Sequence, residues 1–210
     1  MSQELFELTG KHVRLEPLEL RHAEALSEAA SASSDAELYR WTFVPHSIEE
    51  ATEYVKTAIG WREAGTAVPF ATVRLSDGAV IGSTRFFDID RWAWPAEDER
   101  HGRLRPDVCE IGYTWLTSSA VRTAANTEAK LLMLAHAFDV WQVLRVCLHT
   151  DERNQRSRNA IERIGGKFEG ILRSHRLAAD HTPRNSARFS ILAAEWPDVK
   201  HHLTSLLMYT

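Results

Sequence analysis

The loop at residues 117–126 joins a strand-like segment to a helix-like segment, and its residue types suggest anion binding. It is small and polar, with one basic residue, Arg122. Backbone amides at a helix N-terminus lack intrahelical partners and carry partial positive charge, so they favour a phosphate. Asn126 or Thr127 can cap the helix, and Arg122 can neutralise charge on a bound group. An ordinary helix start made of small polar residues fits the same pattern.

Cysteine and histidine spacing indicates no metal cofactor. Cys109 and Cys147 each lie in an apolar, strand-like run, without a CxxC or Cys/His ligand spacing around them. The 10 histidines form no HExxH motif. We therefore expect two buried free thiols and no metal.

Hydrophobic periodicity predicts a mixed α/β fold in one domain, residues 1–210. Alternating apolar residues predict strands at 11–18, 68–75, 79–88, 108–116, 144–150, 167–177 and 188–193. Helical spacing and end signals predict helices at 20–32, 47–64, 127–141, 154–164 and from Trp196. The strand–helix–strand step from 108 to 150 requires a right-handed crossover between parallel strands. Ligands in such units bind beyond the strand carboxyl ends, which points to residues 115–127.

The most regular strand is Val108–Leu116. Strict alternation predicts one face with Cys109, Ile111, Tyr113 and Trp115, and the opposite face with Glu110, Gly112 and Thr114.

Composition favours an ordinary globular protein. Of 210 residues, 44% are hydrophobic and 26% charged, and the formal net charge of −4 disfavours a dedicated nucleic-acid binder. No apolar run approaches the ~18 residues of a membrane helix, and the first residues lack a signal-peptide core. We expect a cytoplasmic protein without membrane or direct nucleic-acid partners.

Several ordered blocks resemble RimJ/RimL-type acetyltransferases of the GNAT superfamily. EIGYTWL at 110–116 and RTAANTEAK at 122–130 are similar to the central motif of those proteins. Further similar blocks are TDERNQRSRNA at 150–160, RIG at 163–165, EG at 169–170, FSI at 189–191 and EWP at 195–197. The resemblance implies an α/β (α+β) GNAT-like domain with a mixed, centrally splayed β-sheet flanked by helices. It also implies direct transfer of an acetyl group from acetyl-CoA to a primary amine in a ternary complex.

The resemblance assigns cofactor-binding residues by position. The pyrophosphate is assigned to Arg122, Thr123, Ala124, Ala125, Asn126 and Thr127, and the pantetheine and acetyl end to Tyr113, Thr114, Trp115 and Leu116. Asn154 is expected to contact the pantetheine or shape its loop, or to act only as a helix cap. Arg158 is expected to meet a CoA phosphate, or to belong to a solvated helix face. Ser119 and Arg122 replace the two loop residues that the superfamily favours, whereas Ala124 fits the third.

The transfer reaction needs a base and an acid. Glu110, on the polar face of the strand expected to bind the acetyl arm, is the candidate base, and the alternative is a structural carboxylate held by neighbouring groups. Many superfamily members carry a tyrosine acid where this chain has Ile161. Ser157, one turn into the helix, is the candidate replacement, unless it is an ordinary capping or surface residue.

Aromatic residues mark the expected acceptor site. Trp41 and Phe43 resemble the acceptor wall of the family, with core packing as the alternative. Trp92 and Trp94 lie in a long connection that can recognise the acceptor or form a homodimer contact. The acceptor is a protein N-terminal amine or a small molecule. A CoA-binding sensor or scaffold without catalysis is the alternative function, and an RNA- or ribosome-binding module is disfavoured by the acidic charge.

Overall fold

One mixed sheet of eight strands organises the protein, for which a computed structural model describes residues 5–33, 35 and 37–208. The strands are β1 (Leu8–Thr9), β2 (Val13–Pro17), β3 (Ala67–Arg74), β4 (Val80–Asp90), β5 (Val108–Leu116), β6 (Arg145–Asp151), β7 (Lys167–Leu177) and β8 (Pro183–Leu192). The helices are α1 (Ala23–Ser31), α2 (Ile48–Glu63), α3 (Ala124–Ala135), α4 (Gln155–Arg163) and α5 (Trp196–Met208). The strand order is β1-β2-β3-β4-β5-β6-β8-β7. The expected α/β class and mixed sheet are confirmed.

The two central strands are parallel and separate after a short contact. β5 and β6 pair at Val108 with Arg145, Cys109 with Val146 and Glu110 with Cys147. Beyond Glu110 the two strands no longer pair, so the sheet opens toward the carboxyl ends of both strands. This opening confirms the splayed sheet, and α3 forms the crossover between the strands.

A bulge in β5 overturns the predicted alternation of its side chains. Arg85 of β4 pairs with Gly112 and Ser83 pairs with Trp115, so three steps of β5 oppose two of β4. Tyr113 takes a left-handed backbone conformation with φ of 51°. Because a bulge adds one residue to one strand, the side chains after it exchange faces.

The two core clusters show the effect of this bulge. Cys109 and Ile111 pack with Met133 of α3, as one face of the prediction requires. Trp115 instead packs with α1 and α2 on the opposite side of the sheet. Tyr113, whose ring lies 5.4 Å from that of Trp61 of α2, is on this side as well. The prediction that Tyr113 and Trp115 share a face with Cys109 and Ile111 is therefore wrong.

Helix α3 begins earlier than its sequence pattern predicted. Its N-cap is Thr123, whose hydroxyl accepts a hydrogen bond from the Ala125 amide at 3.2 Å. The expected caps, Asn126 and Thr127, lie inside the first turns. The helix continues into a π-helical segment, His136–Trp141. By contrast, the predicted N-cap of α2 is confirmed, because Ser47 Oγ accepts from the Glu50 amide at 3.1 Å.

Glu128 connects α3 to the first hairpin of the sheet. Its buried carboxylate accepts hydrogen bonds from the backbone amides of Lys11, His12 and Val13 at 2.8, 2.6 and 2.7 Å. A Cβ at Gly10 would lie 2.3 Å from the Glu128 carboxyl carbon, so the strand approaches too closely for any larger residue. Glu128 is thus a structural residue and does not compete with an anion at the start of α3. Within the described ranges, no helix is long and apolar enough to cross a membrane.

Candidate functional site

A cavity of about 1110 Å³ lies where β5 and β6 diverge. It exceeds the roughly 300–1,000 Å³ typical of small-molecule sites, so it has room for an extended ligand. Its walls come from the segment before α2, α2 itself, the bulged end of β5, the first turns of α3 and α4, and the β7–β8 connection. The cavity therefore brings together segments far apart in sequence.

The start of α3 forms one end of this cavity. Arg122, with φ of 63°, turns the chain into the helix, and Thr123, Asn126 and Thr127 line the cavity with it. Ala124 and Ala125 are buried and are not among the lining residues, and the Ala125 amide already donates to Thr123 Oγ1. Arg163 of α4 donates from Nη2 to Thr127 Oγ1 at 2.7 Å. Unpaired helix amides and two arginines make this end suitable for a phosphate group.

The end of β5 presents a free strand edge to the cavity. Tyr113, Thr114, Trp115 and Leu116 all line it. Since the pairing with β6 stops at Glu110, the following residues have no partner strand on that side among the described residues. An extended ligand with amide groups can pair with such an edge as an added strand does.

Glu110 is buried at the point where the strands diverge. It is 4% exposed. Its Oε2 lies 2.7 Å from His149 Nδ1 and 3.8 Å from Arg176 Nη2. The contact with His149 is close but not aligned as a hydrogen bond, and neither ring nitrogen of His149 has an aligned partner among the described residues. Sequence patterns gave no signal for His149, because it lies on a neighbouring strand.

Cationic and imidazole groups surround this carboxylate. The His175 ring lies 5.1 Å from that of His149. Burial, together with Arg176, lowers the pKa of His175 and of Arg184. Both groups also interact electrostatically with Glu110, so they belong to the surroundings of its carboxylate.

The start of α4 holds Asn154 and Ser157 at the cavity wall. Asn154 is the N-cap, and its Oδ1 accepts from the Ser157 amide at 3.0 Å. Asn154 therefore caps α4, which is the alternative role expected for it from the sequence. The Ser157 hydroxyl is left available to the cavity. Ile161, which stands at the family's tyrosine position, also lines the cavity.

Arg158 lies outside the cavity lining. Its Nη1 donates to the Glu152 carbonyl at 3.3 Å, and its guanidinium carbon lies 5.3 Å from the Phe168 ring. The expected phosphate contact of Arg158 stays a prediction, and in this geometry its guanidinium packs on Phe168 of β7.

Trp92 and Trp94 also lie outside the cavity lining, in contrast to Trp41 and Phe43, which belong to it. Asp107 anchors both residues, accepting from the Trp92 amide at 2.8 Å and from Trp94 Nε1 at 2.9 Å. The role of Trp92 and Trp94 in acceptor recognition or in a homodimer contact stays a prediction. Trp41 packs beneath Arg153, whose guanidinium carbon is 4.3 Å from its ring.

Two buried cations in the cavity wall were not predicted. Lys130 Nζ donates to Thr114 Oγ1 at 2.6 Å and to Thr84 Oγ1 at 3.3 Å, and burial lowers its pKa to about 7. Arg85 is 1% exposed. Lys130 and Arg85 occur in a regular helix and a regular strand pattern, so the sequence does not indicate that their charged groups are buried. Across the described ranges, no group of three or more His, Cys, Asp or Glu residues is placed to hold a metal ion.

Comparison with known proteins gives consistent matches. The family model described as an acetyltransferase (GNAT) domain matches residues 12–167. Over 201 residues the chain is 26% identical to YdaF of Bacillus subtilis (strain 168), a provisionally assigned ribosomal N-acetyltransferase, covering 91% of this chain and 97% of that protein. A GCN5-related N-acetyltransferase from Brucella melitensis is 28% identical with a TM-score of 0.82, over 98% of this chain and 86% of that one. Mycobacterium smegmatis RimJ in complex with CoA-disulfide is 21% identical with a TM-score of 0.77, over 96% of this chain and 94% of that one, and shares its fold.

Proposed function

Because the chain belongs to the GNAT acetyltransferase family, we propose that it transfers an acetyl group from acetyl-CoA directly to a primary amine. The observation that carries this proposal is the free edge of β5 beside the N-terminus of α3. It combines a surface for an extended amide-containing arm with a site for its phosphates. The similarity in fold to RimJ, whose structure holds CoA-disulfide, supports the same assignment.

The residues at the cavity fit acetyl-CoA, which would supply an acetyl group activated as a thioester. Arg122, Thr123 and the first amides of α3 would bind the pyrophosphate, with Arg163 adding positive charge beside Thr127. The backbone of residues 113–116 would bind the pantetheine arm. Arg158, which lies outside the cavity lining, is kept as a further candidate for a CoA phosphate.

Glu110 is the proposed base. An amine attacks only when it is neutral, so a proton must leave the acceptor, directly or through water. The buried carboxylate can accept it, and His149 at 2.7 Å would hold the carboxylate in position. Ser157 would donate a hydrogen bond to the leaving sulfur.

A protein N-terminal amine is the proposed acceptor class, since YdaF is named for ribosomal N-acetylation. A small amine is the alternative. The proposal places the reaction in the cytoplasm.

A CoA-binding protein without catalysis remains the second candidate function. The specific observation in its favour is Ile161, which lines the cavity where a tyrosine acid would stand and brings no hydroxyl. Binding of acetyl-CoA without turnover of any amine in a broad panel would favour this candidate.

Calorimetric titration with acetyl-CoA tests the proposed function, with ATP as the control for general phosphate binding. We expect selective micromolar binding that Arg122→Ala weakens and that Arg21→Ala, at an exposed site outside the cavity, leaves intact. A folded protein that binds acetyl-CoA no better than ATP would rule out the proposal.

A further inference from the structure

The Arg85 guanidinium is buried in the cavity wall, and two of its three nitrogens lack a polar partner among the described residues. Its side chain is 1% exposed, and the two nitrogens without a hydrogen bond are Nε and Nη2. Within the part of the chain that the structure describes, no carboxylate forms an ion pair with it. A buried charge without partners is strongly unfavourable unless something else compensates it.

Aromatic rings supply only part of that compensation. The guanidinium carbon lies 4.3 Å from the Tyr113 ring, 5.0 Å from Tyr54 and 5.1 Å from Trp61. The π faces attract the cation. They do not accept hydrogen bonds in the plane of the guanidinium, so its Nε and Nη2 hydrogens are left without an acceptor among the described residues.

Arg85 and Glu110 lie on the same face of the sheet. Arg85 pairs with Gly112, and Phe87 pairs with Glu110, so Arg85 and Glu110 are diagonal neighbours at roughly 7–8 Å. Both line the cavity. A molecule whose amine meets Glu110 can therefore place a second group against Arg85.

We propose that Arg85 determines acceptor specificity by binding a carboxylate carried by the amine acceptor. The planar guanidinium matches a carboxylate through two parallel N–H···O bonds, which the π stack leaves free. This inference rests on the proposed function, because it assumes that the acceptor amine is bound near Glu110. The carboxylate belongs either to a free amino acid or to an acidic residue near a peptide N-terminus.

Matched acceptor pairs test the proposal. Amino acids are compared with their carboxamides, and tetrapeptides with Asp at positions two and three are compared with their Asn counterparts. We expect kcat/KM to favour the anionic member by about 10- to 100-fold in the wild type, mostly through KM. In Arg85→Met that ratio falls toward one, and in Arg85→Lys it is intermediate. The matched control is Arg21→Met, at an exposed arginine outside the cavity, which keeps the wild-type ratio.

The pair that shows the preference identifies the source of the carboxylate. If the anionic member is preferred among the amino acids, the acceptor is a free amino acid. If the preference is confined to the peptides, the acceptor is a peptide with an acidic N-terminal segment. The proposal would be overturned if the two members of every pair that is acetylated had equal kcat/KM.

A binding measurement tests the proposal if the protein acetylates none of these acceptors. The Nε–Hε resonance of Arg85, assigned by its loss in Arg85→Lys, is followed during titration with acetate at constant ionic strength, with chloride as the control. We expect a saturable shift with acetate only, and its absence would overturn the proposal. Calorimetry with acetyl-CoA on the same samples distinguishes a failure of the proposed function from a failure of the proposed role of Arg85. If acetyl-CoA does not bind, the proposed function fails, while the acetate titration still decides the role of Arg85.

Discussion

Replacing Lys130 by Met should change how the stability of the protein depends on pH. Burial lowers the pKa of Lys130 from 10.5 to about 7 in the folded state. Between these values the unfolded chain binds more protons than the folded one, so the free energy of unfolding rises with pH. The penalty of the buried charge is fully present below pH 7 and is lost as the pH rises toward 10.5. At one pKa unit per 1.36 kcal/mol, this linkage amounts to roughly 3 to 4 kcal/mol between pH 7 and pH 10.

The measurement is urea unfolding of wild type and Lys130→Met at several pH values, followed by tryptophan fluorescence. The free energy of unfolding of the wild type should rise by roughly 3 to 4 kcal/mol relative to the variant between pH 7 and pH 10. Loss of the hydrogen bonds to Thr114 and Thr84 shifts this difference by a nearly constant amount, so the slope is the diagnostic quantity. Lys56→Met, at an exposed position on α2, is the control and should give a flat difference. A flat difference for Lys130→Met as well would refute the reasoning.

Three further predictions concern Glu128, Glu110 and Gly82. Glu128→Ala removes the acceptor of three amide hydrogen bonds and should cost about 3 kcal/mol or more in chemical unfolding, and a loss below about 1 kcal/mol would contradict a structural role. Glu110→Gln should lower kcat by about 10²- to 10⁴-fold while acetyl-CoA still binds in calorimetry, and an unchanged kcat would remove Glu110 as the base. Gly82→Ala puts a Cβ 2.0 Å from the Trp115 carbonyl oxygen at a φ of 152°, so the thermal midpoint should fall clearly. Gly60→Ala, inside α2 with no neighbour within 4 Å, should raise that midpoint slightly, and similar midpoints for the two variants would contradict the close approach at Gly82.

Local sequence signals correctly predicted some features that depend only on residues close together in the chain. Ser47 caps α2 through its hydroxyl, as predicted. The strands joined by the crossover after Val108–Leu116 are parallel, as predicted. The bulge at Tyr113 was not predicted, because a period-two pattern along β5 carries no information about its register with the partner strand β4. The close approach of Gly82 in β4 to the Trp115 carbonyl is likewise invisible in that pattern.

The sequence singled out the start of α3 and Glu110, which both line the cavity, but it gave no signal for the other buried charges there. The start of α3 followed from the general chemistry of helix N-termini and from the resemblance to known acetyltransferases. Arg85, Lys130 and His149 each occupy a position where a regular strand or helix accepts almost any side chain. Their chemistry comes from burial and from neighbours on other elements, which sequence spacing does not encode. The roles given to Glu110 and Ser157 stay predictions.

The bulge also explains how one strand can serve two ligands. Before it, Glu110 and Gly112 face the side of α2, while Cys109 and Ile111 pack under α3. One extra residue keeps Tyr113 and Trp115 on the α2 side and turns Thr114 toward Lys130 of α3. The contact of Tyr113 with Arg85 and the hydrogen bond from Lys130 to Thr114 thus depend on the same local irregularity. In the proposed reaction, the acceptor and the CoA arm would approach β5 from different directions, as direct transfer between them requires.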